Sequence, residues 1–304
     1  MAKSRKEITS TMIGATAAVA TSLKARSVFA YIDEFEEDKP LRDLKNAATE
    51  LILIARNQNE QSRARRLGAK VLTVPAVNLT RIGRIKTAVV IAFSQRVLQP
   101  GETFVFLCGL PAEPADTLMV MSVGAEYEMF QSVDQPKLTE HIRRAVFERV
   151  FGLAIELASE GREGKPVGAM FVLGDYREVQ KHCQQNIINP FKGYLERERN
   201  ILDHGMAETV KEFCSIDGAF ILKGNGAIMS AGTTVRPGLV GEELPRGLGS
   251  RHSAAAGITA ITKSIAITIS ESNGTVRVWR RGQMITEIER ATRSAPPSAA
   301  SEPD

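Results

Sequence analysis

Cysteine is scarce in this sequence. Three residues, Cys108, Cys183 and Cys214, are spread through 304 positions. An odd number of widely spaced cysteines forms neither a disulfide framework nor a metal-ligand pattern, and they read as reduced thiols. Long apolar runs are also missing. No stretch approaches the roughly 18 residues that cross a bilayer. The N-terminal segment MIGATAAVATSL is apolar but rich in small residues and lacks the leucine-rich core of a signal peptide. A soluble, cytoplasmic protein without membrane contact is expected. Charge of one sign is nearly balanced, at +4 net, and no Lys/Arg-rich arm argues for nucleic acid. The strongest basic cluster, Arg63, Arg65 and Arg66, reads as a solvated helix face. No Gly-x-Gly-x-x-Gly follows a strand and no Gly-Lys-Ser/Thr occurs, so neither common phosphate-loop fingerprint is present.

The chain does contain alternating apolar runs and helical stretches. Residues 5–25 have helical spacing. SVFAYI (27–32), LILIA (51–55), AKVLTV (69–74), TFVFLC (103–108) and LMVMSV (118–123) read as strands. Helices are expected over 41–50, 58–67 and 78–97. Continuous apolar strands separated by helices indicate a mostly parallel sheet covered on both faces. Residues 1–124 are therefore expected to form a three-layer α/β domain. The stretch from Pro100 to Gly109 resembles the late strand of pyruvate kinase C-terminal domains. Asn57, after the LILIA strand, sits where such sheets often bind ligands and is a candidate effector contact.

A polar, Pro-containing break at 125–138 reads as a linker. A second α/β unit with a mixed sheet is expected over 139–290, and 291–304 as a disordered tail. Helices are expected over 139–158, 176–185, 200–214 and 250–262. Gly224-Asn225-Gly226 and Asn273-Gly274 mark two hairpins, the first joining strands over 219–222 and 227–231, the second over 264–270 and 275–279.

Two pieces of the second unit look chemical. Ser250 is a suitable N-cap, which puts Arg251 and His252 in a first helical turn, where free N–H groups favour an anion. Gly249 allows close backbone approach. Asp217 precedes Gly218 and Ala219, two residues with almost no side chain, at a strand entrance. Alone, Asp217 reads as a turn aspartate and Glu271 as a hairpin-edge charge.

Their joint order resembles the diadenylate cyclase family, the cyclic di-AMP synthases. Members carry an Asp-Gly-Ala motif, then an Arg-His-Arg motif preceded by Gly or Thr, then a strand ending in Ser-Glu. Here these are Asp217-Gly218-Ala219, Gly249-Ser250-Arg251-His252-Ser253 and Ser270-Glu271. The layout is similar to the archaeal-type subgroup, which places a pyruvate-kinase-C-terminal-like domain before the cyclase. The DNA-binding part and membrane helices of other relatives are absent, so neither DNA nor membrane is an expected partner.

The resemblance implies condensation of two ATP into cyclic di-AMP with release of two pyrophosphates. It implies Asp217, Arg251 and His252 as catalytic residues. Asp217, His252 and Glu271 become candidate ligands for Mn²⁺ or Mg²⁺. ATP would contact Gly218, Ala219, Gly232, Thr233, Gly249, Ser250, Arg251, His252, Ser253, Ser270 and Glu271. Ser250 stands where many relatives have Thr and keeps the hydroxyl. Ser253 replaces the second arginine and removes a cation, for which Arg246 or Lys263 would be substitutes. One motif copy per chain and a product joining two nucleotides imply a homo-oligomer, at least a face-to-face dimer. The alternative raised by Ser253 is a non-catalytic ATP or cyclic di-AMP sensor on the same fold.

Overall fold

The computed structural model describes residues 5–47, 50–99, 101–110, 113–122, 141–162, 166–237 and 249–289. The expected linker at 125–138 and tail at 291–304 lie outside these residues, as does Arg246.

Among the described residues the strands form two sheets. The first half supplies α1 (Arg5–Ser22), β1 (Ser27–Tyr31), α2 (Asp38–Ala47), β2 (Leu51–Ala55), α3 (Gln58–Arg66), β3 (Lys70–Thr73), α4 (Arg81–Ser94), β4 (Thr103–Cys108) and β5 (Thr117–Ser122). The order is β3-β2-β1-β4-β5. The pairings from β3 to β4 are parallel and β5 closes the edge antiparallel. Every residue of β1 and β2 is buried, the mark of a sheet covered on both faces. Ile13, Leu41 and Leu44 pack on one face with Val28, Leu53 and Val105. Ile85 and Val89 of α4 pack on the other with Phe29, Ile54 and Phe106. The expected three-layer unit is thus present.

The second half supplies α5 (Arg144–Glu160), β6 (Ala169–Leu173), α6 (Tyr176–Val179), β7 (Cys183–Gln185), α7 (Met206–Phe213), β8 (Ala219–Leu222), β9 (Ile228–Val235), α8 (Ser250–Ile261), β10 (Ile265–Ile269), β11 (Val276–Arg280) and β12 (Gln283–Ile288). The order is β12-β11-β10-β6-β8-β9-β7. Only β6 and β8 pair in parallel among these strands, so the sheet is mixed as expected. Phe147 and Phe151 of α5 share a core with Phe171, Phe220 and Ile267. Ala255 and Ile258 of α8 pack with Val172, Ile221 and Trp279 on the opposite face. The α5-side core continues into that of α4, where Ser94 Oγ donates to Glu148 Oε1 at 2.7 Å.

Several local expectations are corrected. Residues 176–185 are not one helix: α6 is short, a 3-10 turn follows, and β7 pairs with β9 at the sheet edge. The polar pair Gln184 and Gln185 is exposed there and carries no strand signal. Helix α7 starts at Met206 rather than Asn200. The Asn200 and Asp203 side chains accept from the N–H groups of Leu202 and Gly205, at 3.0 and 2.9 Å, and hold the backbone in turns instead. Strand β12 was not foreseen; it follows a tight turn in which Arg281 and Gly282 both have positive φ. Arg63 is not a solvated charge. Its Nε donates to Asp38 Oδ1 at 2.7 Å and its Nη1 to the Phe35 carbonyl at 2.6 Å. Asn57 is the N-cap of α3, accepting from Glu60 N at 2.9 Å.

Candidate active site

The Asp217 position is set by a close backbone contact. Gly218 has φ +120°, and a Cβ there would lie 2.6 Å from Thr233 N and 2.7 Å from Gly232 C. Only a residue without a side chain lets the chain enter β8 flush against β9. Ala219 pairs with Thr233, and the register slips just beyond it. Asp217 is left projecting, its side chain 90% exposed. Gly232 backs Gly218 from β9. Thr233 is buried, and its hydroxyl donates to Gln185 Oε1 at 3.0 Å, within the sheet.

Helix α8 supplies the second piece. Its N-cap is Gly249, and Ser250, expected at that position, is the first helical residue with no side-chain cap bond. The Gly249 carbonyl accepts from the N–H groups of His252 and Ser253 at 3.0 and 3.2 Å. The N–H groups of Ser250 and Arg251, by helix geometry, have no acceptor within the helix and remain for an anion. Ser253 points to solvent.

Arg251 joins the motifs. Its Nη2 donates to Asp217 Oδ1 at 2.9 Å and its Nη1 to Glu271 Oε2 at 3.3 Å. Glu271 stands just past β10 with its side chain 67% exposed. Ser270 is buried beside it, its hydroxyl 3.1 Å from that of Ser272. The floor is Gly168, at the entrance to β6. A Cβ there would meet Arg251 Nη1 at 2.5 Å and Glu271 Cβ at 2.9 Å. Gly168 was missed, although a glycine at the head of an apolar strand is a known signal of close approach.

His252 is buried, edge-on to Trp279. Its Nε2 lies 3.1 Å from Arg277 Nη1. Because guanidinium only donates, Nε2 is the acceptor and Nδ1 carries the proton; Nδ1 is buried without a partner. Burial first, then the neighbouring Arg277 and Arg251 charges, push its pKa down to about 4, so the ring is neutral at pH 7. Arg277, on β11, was also missed: a charge in a strand reads as solvent-facing. Ser250, Arg251, His252, Ser270, Glu271 and Arg277 line an open cleft of about 340 Å³.

The structure thus brings together Asp217, Arg251 and Glu271, with His252 beneath. Among the described residues no three His, Cys, Asp or Glu side chains are grouped to hold a metal ion. Asp217 and Glu271 offer exposed hard oxygens of the kind Mg²⁺ and Mn²⁺ take, and these two fit such an ion. His252 does not, since Nε2 is engaged by Arg277. Lys263, whose backbone N–H donates to Asp175 Oδ2 at 2.8 Å, is not among the residues that line the cleft. No described helix is long and apolar enough to cross a membrane.

Both parts of the chain match known protein families. Residues 156–284 match the family model described as "DisA bacterial checkpoint controller nucleotide-binding". Residues 9–130 match one described as "Probable sensor domain DacZ_P"; the likeness of that part to pyruvate kinase is not confirmed. A protein named Diadenylate cyclase from Methanocaldococcus jannaschii is 36% identical over 67% of this chain and 66% of its own length, so the matched stretch spans slightly less than two thirds of that relative. A second Diadenylate cyclase, from Haloferax volcanii, is 34% identical over 68% of this chain and 75% of its own. A crystal structure of DacA from Staphylococcus aureus aligns at 20% identity and TM-score 0.35, over 48% of this chain and 87% of that one. On the relatives' identity and coverage, the chain belongs to the diadenylate cyclase family.

Proposed function

We propose that this chain condenses two ATP into cyclic di-AMP, releasing two pyrophosphates, at a site completed by a second copy of the same chain. The observation that carries this reading is Arg251, held at the start of α8 between the exposed carboxylates of Asp217 and Glu271. A preformed cation beside two acids at a free helix start suits a polyphosphate with its counter-ion.

In each step the 3′-oxygen of one ATP attacks the α-phosphorus of the facing ATP. The bond to the bridging oxygen of the β-phosphate breaks, and pyrophosphate leaves. Asp217 Oδ1 is held by Arg251, leaving Oδ2 to accept the 3′-hydroxyl proton. The free N–H groups of Ser250 and Arg251 cradle the phosphates, with the Ser250 hydroxyl beside them. Gly218 and Ala219 let the adenosine lie against the backbone. Asp217 and Glu271 would hold Mg²⁺ or Mn²⁺, which when bound neutralises phosphate charge. His252, neutral and anchored to Arg277, keeps the α8 start in register with β11.

Each chain carries one Asp217-Arg251-Glu271 set, so closing a symmetric product takes two chains facing each other. The test is incubation of purified chain with ATP and Mn²⁺ or Mg²⁺, followed by identification of the nucleotide product. Cyclic di-AMP from the wild type and none from Asp217→Asn, with ATP binding retained, is the expected result. ATP binding by the wild type without cyclic product would instead indicate a nucleotide sensor.

A further inference from the structure

We infer that Arg277, on strand β11 outside every motif named above, is a substrate-binding residue that supplies a second triphosphate-binding cation to this cleft through its Nη2. The inference rests on the ATP-cyclase reading and identifies a residue which that reading does not require.

Arg251 carries one positive charge and is contacted by two carboxylates, Asp217 and Glu271. That trio is net negative, and a triphosphate entering beside it adds further negative charge. The motif position that would add a second cation is Ser253, a neutral residue facing solvent. Arg251 and Arg277 are the only Lys or Arg residues among the described cleft lining.

Geometry then shows which nitrogen is available. Arg277 Nε donates to Glu287 Oε2 at 3.1 Å, on the neighbouring strand β12, and Nη1 lies 3.1 Å from His252 Nε2. These contacts fix the plane of the guanidinium, whose side chain is 13% exposed. Nη2 makes neither contact and is not a buried atom lacking a partner, and Arg277 lines the cleft. A guanidinium locked at two nitrogens, with the third left accessible, is preorganised for an anion and loses little side-chain entropy on binding. Glu287 accepts from Nε and partly offsets the charge, with no hydrogen bond to Nη2.

The test uses two probes on the full chain with Mg²⁺: the non-hydrolysable α,β-methylene analogue of ATP, and adenosine, which lacks phosphate. Arg277→Met should weaken the analogue about tenfold or more, the worth of one charge-assisted phosphate contact, and leave adenosine affinity unchanged. Arg277→Lys should recover part of the loss. Glu287→Gln keeps an acceptor for Arg277 Nε and removes only the carboxylate charge, so analogue affinity should stay within about twofold of wild type. Unchanged analogue affinity in Arg277→Met, equal weakening of both probes, or equal losses in Arg277→Met and Glu287→Gln would overturn the inference. A wild type that binds the analogue but forms no cyclic di-AMP would overturn the cyclase reading and leave Arg277 standing.

Discussion

Asp217 and Arg251 are 34 residues apart in the chain, and Asp217 Oδ1 accepts a hydrogen bond from Arg251 Nη2 at 2.9 Å. The carboxylate is 90% exposed, and an ion pair so open to water contributes at most about 1 kcal/mol to stability. Holding these two groups together therefore adds little to folding stability. Arg251→Ala should lower the rate of cyclic di-AMP formation by about 10²-fold or more, in line with loss of one phosphate-stabilising donor. Its melting temperature should stay close to wild type. A large drop in melting temperature would mark the pair as structural.

Two glycines near the site separate folding from function. Gly218→Ala places a Cβ against backbone atoms of Gly232 and Thr233 at a φ of +120°. Backbone cannot step aside cheaply, so this variant should lose roughly 1–3 kcal/mol or more of stability as well as activity. Gly168→Ala has no positive φ and meets the movable end of Arg251 at 2.5 Å, with Glu271 Cβ at 2.9 Å. It should lose less stability than Gly218→Ala and still lose activity, because the guanidinium is displaced. Thermal melts and product assays on both variants check this contrast.

The first sheet carries a pH-sensitive group. Glu34 follows β1 with its side chain fully buried, 3.1 Å from Arg84. Burial raises its pKa to about 8, outweighing the downward pull of Arg84, whose charge Asp33 also shares. A carboxyl with a raised folded pKa favours the protonated form in the fold. Its contribution to stability is full below the unfolded value near 4.5 and declines as pH rises towards about 8. Wild type should therefore lose stability between about pH 5 and pH 8 relative to Glu34→Gln. Parallel melting curves for the two proteins across that range would contradict the assignment.

Much of this structure is legible in the sequence. Strands β2 and β4 fall at the expected residues, 51–55 and 103–108, because unbroken apolar runs between polar stretches leave little choice of boundary. The motif order gathers Asp217, Arg251 and Glu271 into one site. What escapes is what tertiary contact alone defines. Strand β7 hides in polar residues because an edge strand exposes them. The turns held by Asn200 and Asp203 lie inside a stretch that otherwise reads as helix. Arg277 and Gly168 gain their roles only when β11 and β6 come up against α8. The N-cap at Gly249 rather than Ser250 is a one-residue shift of the kind helix boundaries commonly show.

The central claim is that one chain holds half of a cyclase site. Its most direct test is the rate of cyclic di-AMP formation at fixed ATP and metal, measured across a dilution series of the chain spanning the range in which it dimerises. Specific activity should fall on dilution while ATP binding per chain stays constant. Specific activity that holds constant through that range, or no cyclic di-AMP at any concentration, would contradict the account.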